Sequence, residues 1–470
     1  MARDRRLRVA ALALALTVAP LLVLGDVWNQ PRVVDFRESP AQVTGALVLA
    51  AVSVAVLATA FRRWPEAFAI AAFATLPLRV PIEIGGETAN LLVPLYAVIA
   101  GGVVSLALAA RRGEARATPP SAAAGPQRWL IYALASTLLL YAIQTSYSED
   151  VSNAIENIGF FLVPFAALFC LLQEVEWRPR LLGRVLIAVA AVAAACSAVA
   201  IYQWLSRDLF LNPELFDANQ LHVYFRVNSI FYDPNILGRY LALAITAIGA
   251  YISWNDDRRV LAAALATGAL LLAATTLSFS ITSFAAVLAG LGMVAVLRWA
   301  WRGAAVAAAI GLVCLLALIL AGGPPNSDIQ SDRGIDSGRS DLIEGGIDLA
   351  QKRPVAGWGS GSFGAAFVQE EDPEARSAVS HSEPITVAAE QGAIGLVVYI
   401  AFVVFALATL LGARAGASPV RTTVAACFVA IFVHSLGYAG FIIDPATWAL
   451  LGLGVALRRS PPEASATMAS

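Results

Sequence analysis

The chain has 470 residues, of which 59% are hydrophobic and only 14% are charged, whereas about 25% of the residues of a soluble domain are charged. Together with a formal net charge of -1 and a mean hydropathy of +0.71, this composition predicts a polytopic membrane protein. It excludes a disulfide scaffold, a coiled coil and a disordered chain, and the balanced charge gives no sign of a nucleic acid partner.

Apolar stretches of about 20 residues, the length that crosses a bilayer, recur from one end of the chain to the other. We predict about fourteen spans, with a range of about 12 to 14. They lie at residues 8–25, 41–60, 65–81, 88–110, 128–147, 154–174, 180–205, 236–254, 259–276, 279–297, 303–321, 387–412, 421–438 and 442–457. The predicted fold class is an all-α integral membrane protein.

The first stretch follows four arginines within eight residues, a start that it shares with secretory signal peptides. We expect an uncleaved helix, because many spans follow it and no small-x-small cleavage site is apparent. The four cysteines all lie in apolar stretches, at Cys170, Cys196, Cys314 and Cys427. We therefore expect neither a structural disulfide nor a zinc ligand set.

Arginines determine the predicted orientation, because basic residues concentrate in cytoplasmic loops. Alternating spans that start from a cytoplasmic amino terminus put most arginines on the cytoplasmic side, among them the basic turns 257–259 and 298–302. Removing one middle span would move both turns to the outside. We expect a multi-pass protein of the cytoplasmic (inner) membrane with both termini in the cytoplasm.

This topology divides the chain into five regions. They are the amino-terminal spans 1–205, a core 206–321 with an outward arginine loop, a large extracytoplasmic loop 322–386 with short helices, the carboxyl-terminal spans 387–458 and a cytoplasmic tail 459–470. Long ordered loops on a rigid scaffold usually carry functional sites. Eight of the eleven outward basic residues fall in or beside the two long outward loops, 206–235 and 322–386, and all three histidines, His222, His381 and His434, lie on the outer side. The pattern predicts an active site that faces outward.

The first candidate segment is Arg226–Asn235, which leads into a span that carries Arg239. Its end, Asp233-Pro234-Asn235, is typical of a helix start, because proline suits the first turn and Asp or Asn can cap it. An arginine beside a helix amino terminus suits a phosphate group. A capped helix whose loop arginine pairs with a carboxylate or a lipid phosphate is an equally good interpretation.

The second candidate segment lies in the large loop. Ser337-Gly338-Arg339 opens a short amphipathic helix that ends at Pro354, and a glycine-rich turn follows at residues 357–363. This turn is not a nucleotide loop, because no Lys-Ser/Thr follows it and no strand–helix unit surrounds it.

His381 stands at the entrance to the next span. The positive end of a helix dipole favours the neutral imidazole, which can accept a proton. A single loop histidine is more often an ordinary surface residue. Its position on the same membrane face as Arg226 and Arg339 makes a catalytic role an equally good interpretation.

In this order the segments resemble the O-antigen ligase and polysaccharide polymerase superfamily of membrane glycosyltransferases. The resemblance covers residues 220–400, and the spans before it match only in being hydrophobic. The motifs are Arg226 with Ser229 and Asp233-Pro234-Asn235; Gly338-Arg339, Pro354, Gly357, Gly359, Gly361, Phe363 and His381; and Glu390–Leu396.

The resemblance implies a glycosyltransferase C-type fold and a glycan donor on undecaprenyl pyrophosphate, used outside the membrane without metal, nucleotide or other cofactor. It implies that Arg226 and Arg339 hold the pyrophosphate and that His381 is the general base for a hydroxyl of a glycan, lipid or cell-wall acceptor. Guanidinium groups stabilise the charge of the leaving group, and attack by the activated hydroxyl would invert the anomeric carbon.

Further contacts to the pyrophosphate or the sugar are expected from Arg239, Ser229, Asn235, Tyr232 and Trp358. The two aromatic residues, like Phe231, suit either sugar stacking or anchoring at the membrane interface.

Two positions depart from the pattern of the family. Residues 277–283 lack the arginine of the usual Ser-Arg, so one phosphate contact is either missing or supplied by Arg239. His381 is followed by serine instead of asparagine, which changes a hydrogen-bonding group next to the expected base.

Alternatives from the same and other classes stay open at this stage. A polymerase would differ from a ligase only in its acceptor, another lipid-linked repeat. A transporter or flippase is a further alternative, although we find no internal repeat and few ionisable groups near helix centres, where transporters bind their substrates. An inactive assembly scaffold is the third.

Overall fold

The structure, a computed structural model, describes residues 5–84, 87–112, 125–211, 225–320, 339–372, 380–412 and 415–459. These residues are mostly helical. The helices are α1 Arg5–Asp26, α2 Pro31–Glu38, α3 Pro40–Arg63, α4 Pro65–Ala74, α5 Val93–Arg111, α6 Pro126–Thr145, α7 Val151–Glu156, α8 Val163–Leu172, α9 Pro179–Ser206, α10 Pro234–Ile252, α11 Arg258–Leu277, α12 Ile281–Leu320, α13 Arg339–Lys352, α14 Phe363–Glu370, α15 Glu383–Leu410, α16 Pro419–Ser435 and α17 Pro445–Arg459. A π-helical turn, Asn157–Leu162, joins α7 to α8, and a 3-10 turn, Ala415–Ala417, precedes α16.

Within the described ranges, nine helices are long and apolar enough to cross a membrane. This confirms the membrane-protein class and the largely α-helical fold. The predicted spans 65–81, 421–438 and 442–457 correspond to shorter helices of 10, 17 and 15 residues. The total of about fourteen spans and the C-type arrangement therefore stay predictions.

A short β-hairpin departs from the all-α prediction. Strand β1 Val80–Ile84 pairs antiparallel with β2 Glu87–Leu91, with Val80 opposite Leu91. The β-branched residues of this stretch favour a strand, so the helix predicted from residue 88 begins only at Val93. Pro94 lies in its first turn, a position where the missing N–H of proline costs no hydrogen bond.

Helix α12 is a helical hairpin. Ala300 has the non-helical backbone angles φ 51° and ψ -127°, and the backbone of Gly303 lies so close to the carbonyl of Ala295 that a Cβ on Gly303 would overlap it. Gly292 likewise faces Ala307. The two arms therefore run back along each other, in agreement with the predicted spans 279–297 and 303–321.

The chain divides into two compact units. One contains residues 1–124, 152–189 and 442–464, and the other contains residues 125–151, 190–441 and 465–470. In the first unit, Arg8 forms an ion pair with Glu174 at 2.7 Å, and the Tyr96 hydroxyl donates to the carbonyl of Phe160 at 2.8 Å. These contacts join α1 and α5 to the α7–α8 segment.

The second unit is built around α10, which packs against α11, α12 and α16 and is buried along most of its length. Close packing depends on small residues at the helix interfaces: Gly238 lies against Ser283, and Gly290 lies against Thr246. All of the predicted site residues belong to this second unit.

Candidate active site

The segment before α10 lies beside the carboxyl-terminal end of α11. The Arg226 Nε donates to the carbonyl of Ser278 at 3.0 Å, and the Val227 amide donates to the carbonyl of Leu277 at 3.2 Å. Carbonyl groups at a helix end carry partial negative charge, which favours a guanidinium there. The end of α11 thus fixes the position of the half-buried Arg226.

The buried Gln203 side chain shapes the next residues of this segment. Its Oε1 accepts from the amide of Ser229 at 2.7 Å, and its Nε2 donates to the carbonyl of the same residue at 3.1 Å. The Ser229 hydroxyl donates to the carbonyl of Cys196 at 2.8 Å. Ser229 has a left-handed φ of 53°, a costly conformation for a residue other than glycine. The hydroxyl of Ser229 is therefore used in a hydrogen bond that holds this turn.

Asp233 caps α10, as the Asp-Pro-Asn sequence predicts. Its Oδ1 accepts from the amide of Asn235 at 2.6 Å, and its Oδ2 accepts from the hydroxyl of Tyr438 at 2.8 Å. One carboxylate therefore holds both the start of α10 and the loop between α16 and α17.

A buried polar network continues from Asn235. The Asn235 Oδ1 accepts from the Ser280 hydroxyl at 2.7 Å, and the Ser283 hydroxyl donates to the Ser280 oxygen at 2.7 Å. The His434 Nε2 lies 3.3 Å from the hydroxyl oxygens of Thr282 and Ser283. Hydroxyl groups thus form this network in the segment 277–283, which contains no arginine.

Arg239 lies one helical turn beyond Asn235 and is buried. Its Nε donates to the His434 Nδ1 at 3.1 Å, which identifies Nδ1 as an acceptor. Its Nη atoms donate to the carbonyls of Tyr438, Ala439 and Gly440 at 2.9 to 3.0 Å. The guanidinium therefore holds the loop 438–440 by its backbone.

Glu383, in the first turn of α15, binds the same loop through its amides. The buried Glu383 Oε2 accepts from the amides of Gly440 at 2.6 Å and Phe441 at 2.9 Å. Hydrogen bonds to a charged acceptor are the stronger kind. The loop 438–441 is thus fixed at its carbonyls by Arg239 and at its amides by Glu383.

Tyr438 contacts a residue from each of the two predicted segments, Asp233 from the first and His381 from the second. Its ring lies 5.8 Å from the His381 ring, at an interplanar angle of 54°, and 5.9 Å from the His434 ring. Because its hydroxyl bonds to Asp233, Tyr438 links the His381 ring to the residue that caps α10. His381 itself has a left-handed φ of 55°, a conformation that in non-glycine residues is concentrated at functional sites.

The glycine-rich turn packs against a break in α15. Gly392 interrupts the helix with a φ of 62°, and the amide of Ala393, freed by this break, donates to the carbonyl of Pro354 at 2.8 Å. The amide of Gly359 donates to the carbonyl of Glu390 at 2.8 Å. Gly359 also has a φ of 97°, and any Cβ there would overlap the backbone of Ser148. The motifs 357–363 and 390–396 thus form one packed unit.

Trp358 lies in the interior of this packed unit and is only 4% exposed. Its Nε1 donates to the carbonyl of Leu349 at 2.9 Å, and the guanidinium of Arg353 lies 3.7 Å from its ring centre. It clusters with buried residues that include Phe363 and Phe367. Its ring is used in packing, whereas Tyr232 is 44% exposed and is the aromatic residue of the site that solvent reaches.

Arg339 begins α13, but its side chain lies outside what the structure describes. His222 and the pair Ser337-Gly338 also lie outside the described residues. Helix α13 is present as predicted, ends at Lys352 and is followed by the predicted Pro354.

Three residues of the site were not singled out from the sequence: Tyr438, Glu383 and Gln203. Each is a polar residue within or at the end of an apolar segment, and such residues often mark functional positions in membrane proteins. That signal would have selected Glu383 and Gln203. The contact between Tyr438 and His381 joins residues far apart in sequence, so no local pattern reveals it.

Chemically, this end of the second unit combines an imidazole, an ordered arginine and a capped helix start. An imidazole can remove a proton from a hydroxyl, and an arginine beside a helix amino terminus can bind phosphate oxygens. These are the groups that a transfer from a phosphate-linked donor to a hydroxyl requires.

Part of the chain matches a known protein family. A family model described as O-Antigen ligase matches residues 265–400, which run from α11 to the middle of α15 and include Arg339 and His381. No curated protein matches the chain. The matched family indicates an O-antigen ligase-like or polymerase-like membrane enzyme that uses a lipid-linked glycan donor and a glycan acceptor. The match supports the membership of this chain in the O-antigen ligase-like family.

Proposed function

We propose that the protein is an inverting, metal-independent glycosyltransferase that moves an oligo- or polysaccharide from undecaprenyl pyrophosphate to an acceptor hydroxyl. The observation that carries the proposal is the contact of the His381 ring with Tyr438, whose hydroxyl bonds to the Asp233 cap. This contact brings the expected base to the helix start that follows Arg226. The family match covers the loop that supplies His381 and supports the same chemistry.

In the proposed reaction, His381 takes the proton of the acceptor hydroxyl as its oxygen bonds to the anomeric carbon. The bond from that carbon to the pyrophosphate oxygen breaks, and the leaving group keeps the electron pair. Arg226 and Arg339 neutralise the charge that develops there. Ser229 and Asn235 act through the shape of the loop and of the helix start, and the exposed Tyr232 is placed to contact a sugar ring.

We also propose that this site faces the periplasm or exterior of the cytoplasmic membrane and that both termini are cytoplasmic. The support is the distribution of arginines, most of which lie in the loops on the opposite side. An undecaprenyl-linked donor in the outer leaflet would then reach the site along the membrane surface.

The test is transfer in vitro from a defined undecaprenyl-pyrophosphate glycan to candidate acceptors, with the product mass read directly. We expect His381→Ala, Arg226→Ala and Arg339→Ala each to lower transfer at least about 100-fold. Each should leave expression and membrane insertion intact. Lys352→Ala is the matched control, because Lys352 is an exposed basic residue of the same large loop, where it pairs with the half-buried Glu371.

Product analysis separates the alternatives. Transfer to a distinct acceptor supports a ligase, and a lengthening lipid-linked product supports a polymerase. Uptake or flipping of the lipid-linked glycan by proteoliposomes, without transfer, would contradict the proposal in favour of a transporter. Wild-type activity in His381→Ala would exclude His381 as the base.

A further inference from the structure

The loop between α16 and α17 is tied to α10 and to α15 by side chains of both helices. Its backbone accepts three hydrogen bonds from Arg239 and donates two to Glu383. Because the loop is held at both its carbonyls and its amides, it cannot move without breaking several hydrogen bonds at once. The backbone at Tyr438 is therefore held in place.

The Tyr438 side chain is fixed as well. Its hydroxyl donates to the Asp233 Oδ2 at 2.8 Å, and the guanidinium of Arg239 lies 5.4 Å from its ring centre. The His434 ring packs edge-on against the same phenol ring at 5.9 Å. Three side chains, those of Asp233, Arg239 and His434, thus determine where this phenol ring lies.

His381 has a left-handed φ of 55°, and the following Ser382 is extended, with a φ of -142°. The residues before His381, 373–379, lie outside the described part of the chain. The ring contact with Tyr438, 5.8 Å between centroids, joins the His381 side chain to the rigid loop. A base must lie within hydrogen-bonding reach of the proton that it removes, and a misplacement of about 1 Å can cost about 100-fold in rate.

We propose that Tyr438 is a positioning residue that holds the His381 ring at the start of α10, and that Arg239 and Glu383 keep Tyr438 in place. This inference rests on the proposed function, because it assigns His381 as the base. In this proposal Arg239 acts by holding the loop that carries Tyr438, and it does not bind the donor phosphate. Five charged or titratable groups surround the phenol: Asp233, Arg239, Tyr232, His381 and His434.

The experiment measures kcat, the KM for the donor and the pH dependence of kcat/KM for purified wild-type protein and two variants. Tyr438→Leu removes both the ring contact and the hydroxyl, and Tyr438→Phe removes only the hydroxyl. Tyr251→Phe is the matched control, because it deletes a phenol that accepts from Asn255 at 3.0 Å, at the other end of α10. That end lies on the order of 25 Å from Asp233.

We expect Tyr438→Leu to lower kcat about 10- to 100-fold, with the KM for the donor within about twofold. Tyr438→Phe should lower kcat about 2- to 10-fold, the equivalent of one lost hydrogen bond. A smaller fraction of folded enzyme would lower kcat/KM by the same factor at every pH. A displaced His381 would instead shift the pH at which kcat/KM falls on the acid side. We expect that shift for Tyr438→Leu and an unchanged profile for Tyr251→Phe.

Three results would overturn the positioning role: a kcat of Tyr438→Leu equal to wild type, a change confined to the KM for the donor, or a reduced pH profile with an unshifted limb. Should Tyr438→Leu not fold, Tyr438→Phe decides, and a wild-type kcat in that variant overturns the role. If wild-type protein transfers no glycan, or His381→Ala retains full activity, the proposed function itself has failed, which is a distinguishable outcome.

Discussion

Two loops pack against α15, and they differ in what holds them besides a glutamate of that helix. Residues 354–363 meet the helix at its Gly392 break through main-chain hydrogen bonds and glycine contacts, and the amides of Gly361 and Phe363 donate to the Glu390 carboxylate. Residues 437–441 meet its first turn through side chains, with Glu383 on one side of the loop and Arg239 on the other. The first arrangement depends on glycines that leave no room for a Cβ, and the second depends on an arginine that binds carbonyl groups of the loop, so the two loops should respond to different substitutions.

The largest effect is expected in the glycine-held loop. Gly359→Ala adds a Cβ that overlaps the backbone of Ser148, at a φ of 97°, so we expect a loss of about 3–5 kcal/mol in the free energy of unfolding. Thermal unfolding in detergent, followed by intrinsic fluorescence, measures it. Gly268→Ala is the control, because this glycine of α11 has nothing within 4 Å of the added carbon. Equal stability of the two variants would contradict the close packing of this loop.

The next largest effect concerns the loop held by side chains. Glu383→Ala leaves the buried amides of Gly440 and Phe441 without their acceptor, and we expect about 2–3 kcal/mol of destabilisation. Glu383→Gln keeps an oxygen acceptor and should recover more than half of this loss. Denaturation of the three proteins side by side provides the measurement. If Glu383→Gln were as unstable as Glu383→Ala, the charge of Glu383 and not its acceptor geometry would hold the loop.

A smaller effect is expected where the glycine-rich turn meets the core. Trp358→Phe removes the hydrogen bond from the indole to the carbonyl of Leu349 but keeps an aromatic ring, so we expect about 1 kcal/mol of destabilisation. Glycan transfer per folded molecule should stay at the wild-type level, because the ring is buried. Loss of donor binding in this variant would instead show that Trp358 contacts the sugar.

The smallest effect is expected at Lys352, the exposed last residue of α13. Lys352 pairs with Glu371 at 2.7 Å, and that hydrogen bond raises the pKa of Lys352. Any contribution of this ion pair to the free energy of unfolding is therefore fully present below the ordinary pKa of lysine and is lost as the pH rises through the raised pKa of the folded state. Since Lys352 is exposed, Lys352→Ala should leave the unfolding midpoint at physiological salt unchanged. A large change at physiological salt would contradict this.

The difference between the two loops also explains what the sequence could predict. Glycine spacing and the Asp233-Pro234-Asn235 start are local patterns, and the structure has the expected turn and cap at both places. The basic turn around Ala300 likewise predicts the reversal of α12. Each of these features depends on backbone requirements of a few adjacent residues.

Contacts between distant side chains could not be predicted in this way. Nothing local to Tyr438 indicates that its hydroxyl bonds to Asp233, about 200 residues earlier in the chain. Trp358 is a second case, because an aromatic residue in a glycine-rich outer loop suggests a sugar contact, whereas tertiary packing that no local pattern reveals buries its ring. The hairpin at residues 80–91 straddles the end of the predicted span 65–81 and the beginning of the predicted span 88–110, because short apolar runs fit a strand as well as the end of a helix.

The reversal at Ala300 has a consequence for the parity of membrane crossings. A continuous 40-residue helix would be about 60 Å long, twice the thickness of a hydrocarbon core of roughly 30 Å. As a hairpin, α12 turns back at Ala300, so its second arm runs toward the end at which Ile281 begins the first. Ile281 follows the end of α11, beside which Arg226 lies. We expect each arm to cross the membrane once, so that the pair makes an even number of crossings and α12 ends on the membrane side where Arg226 lies.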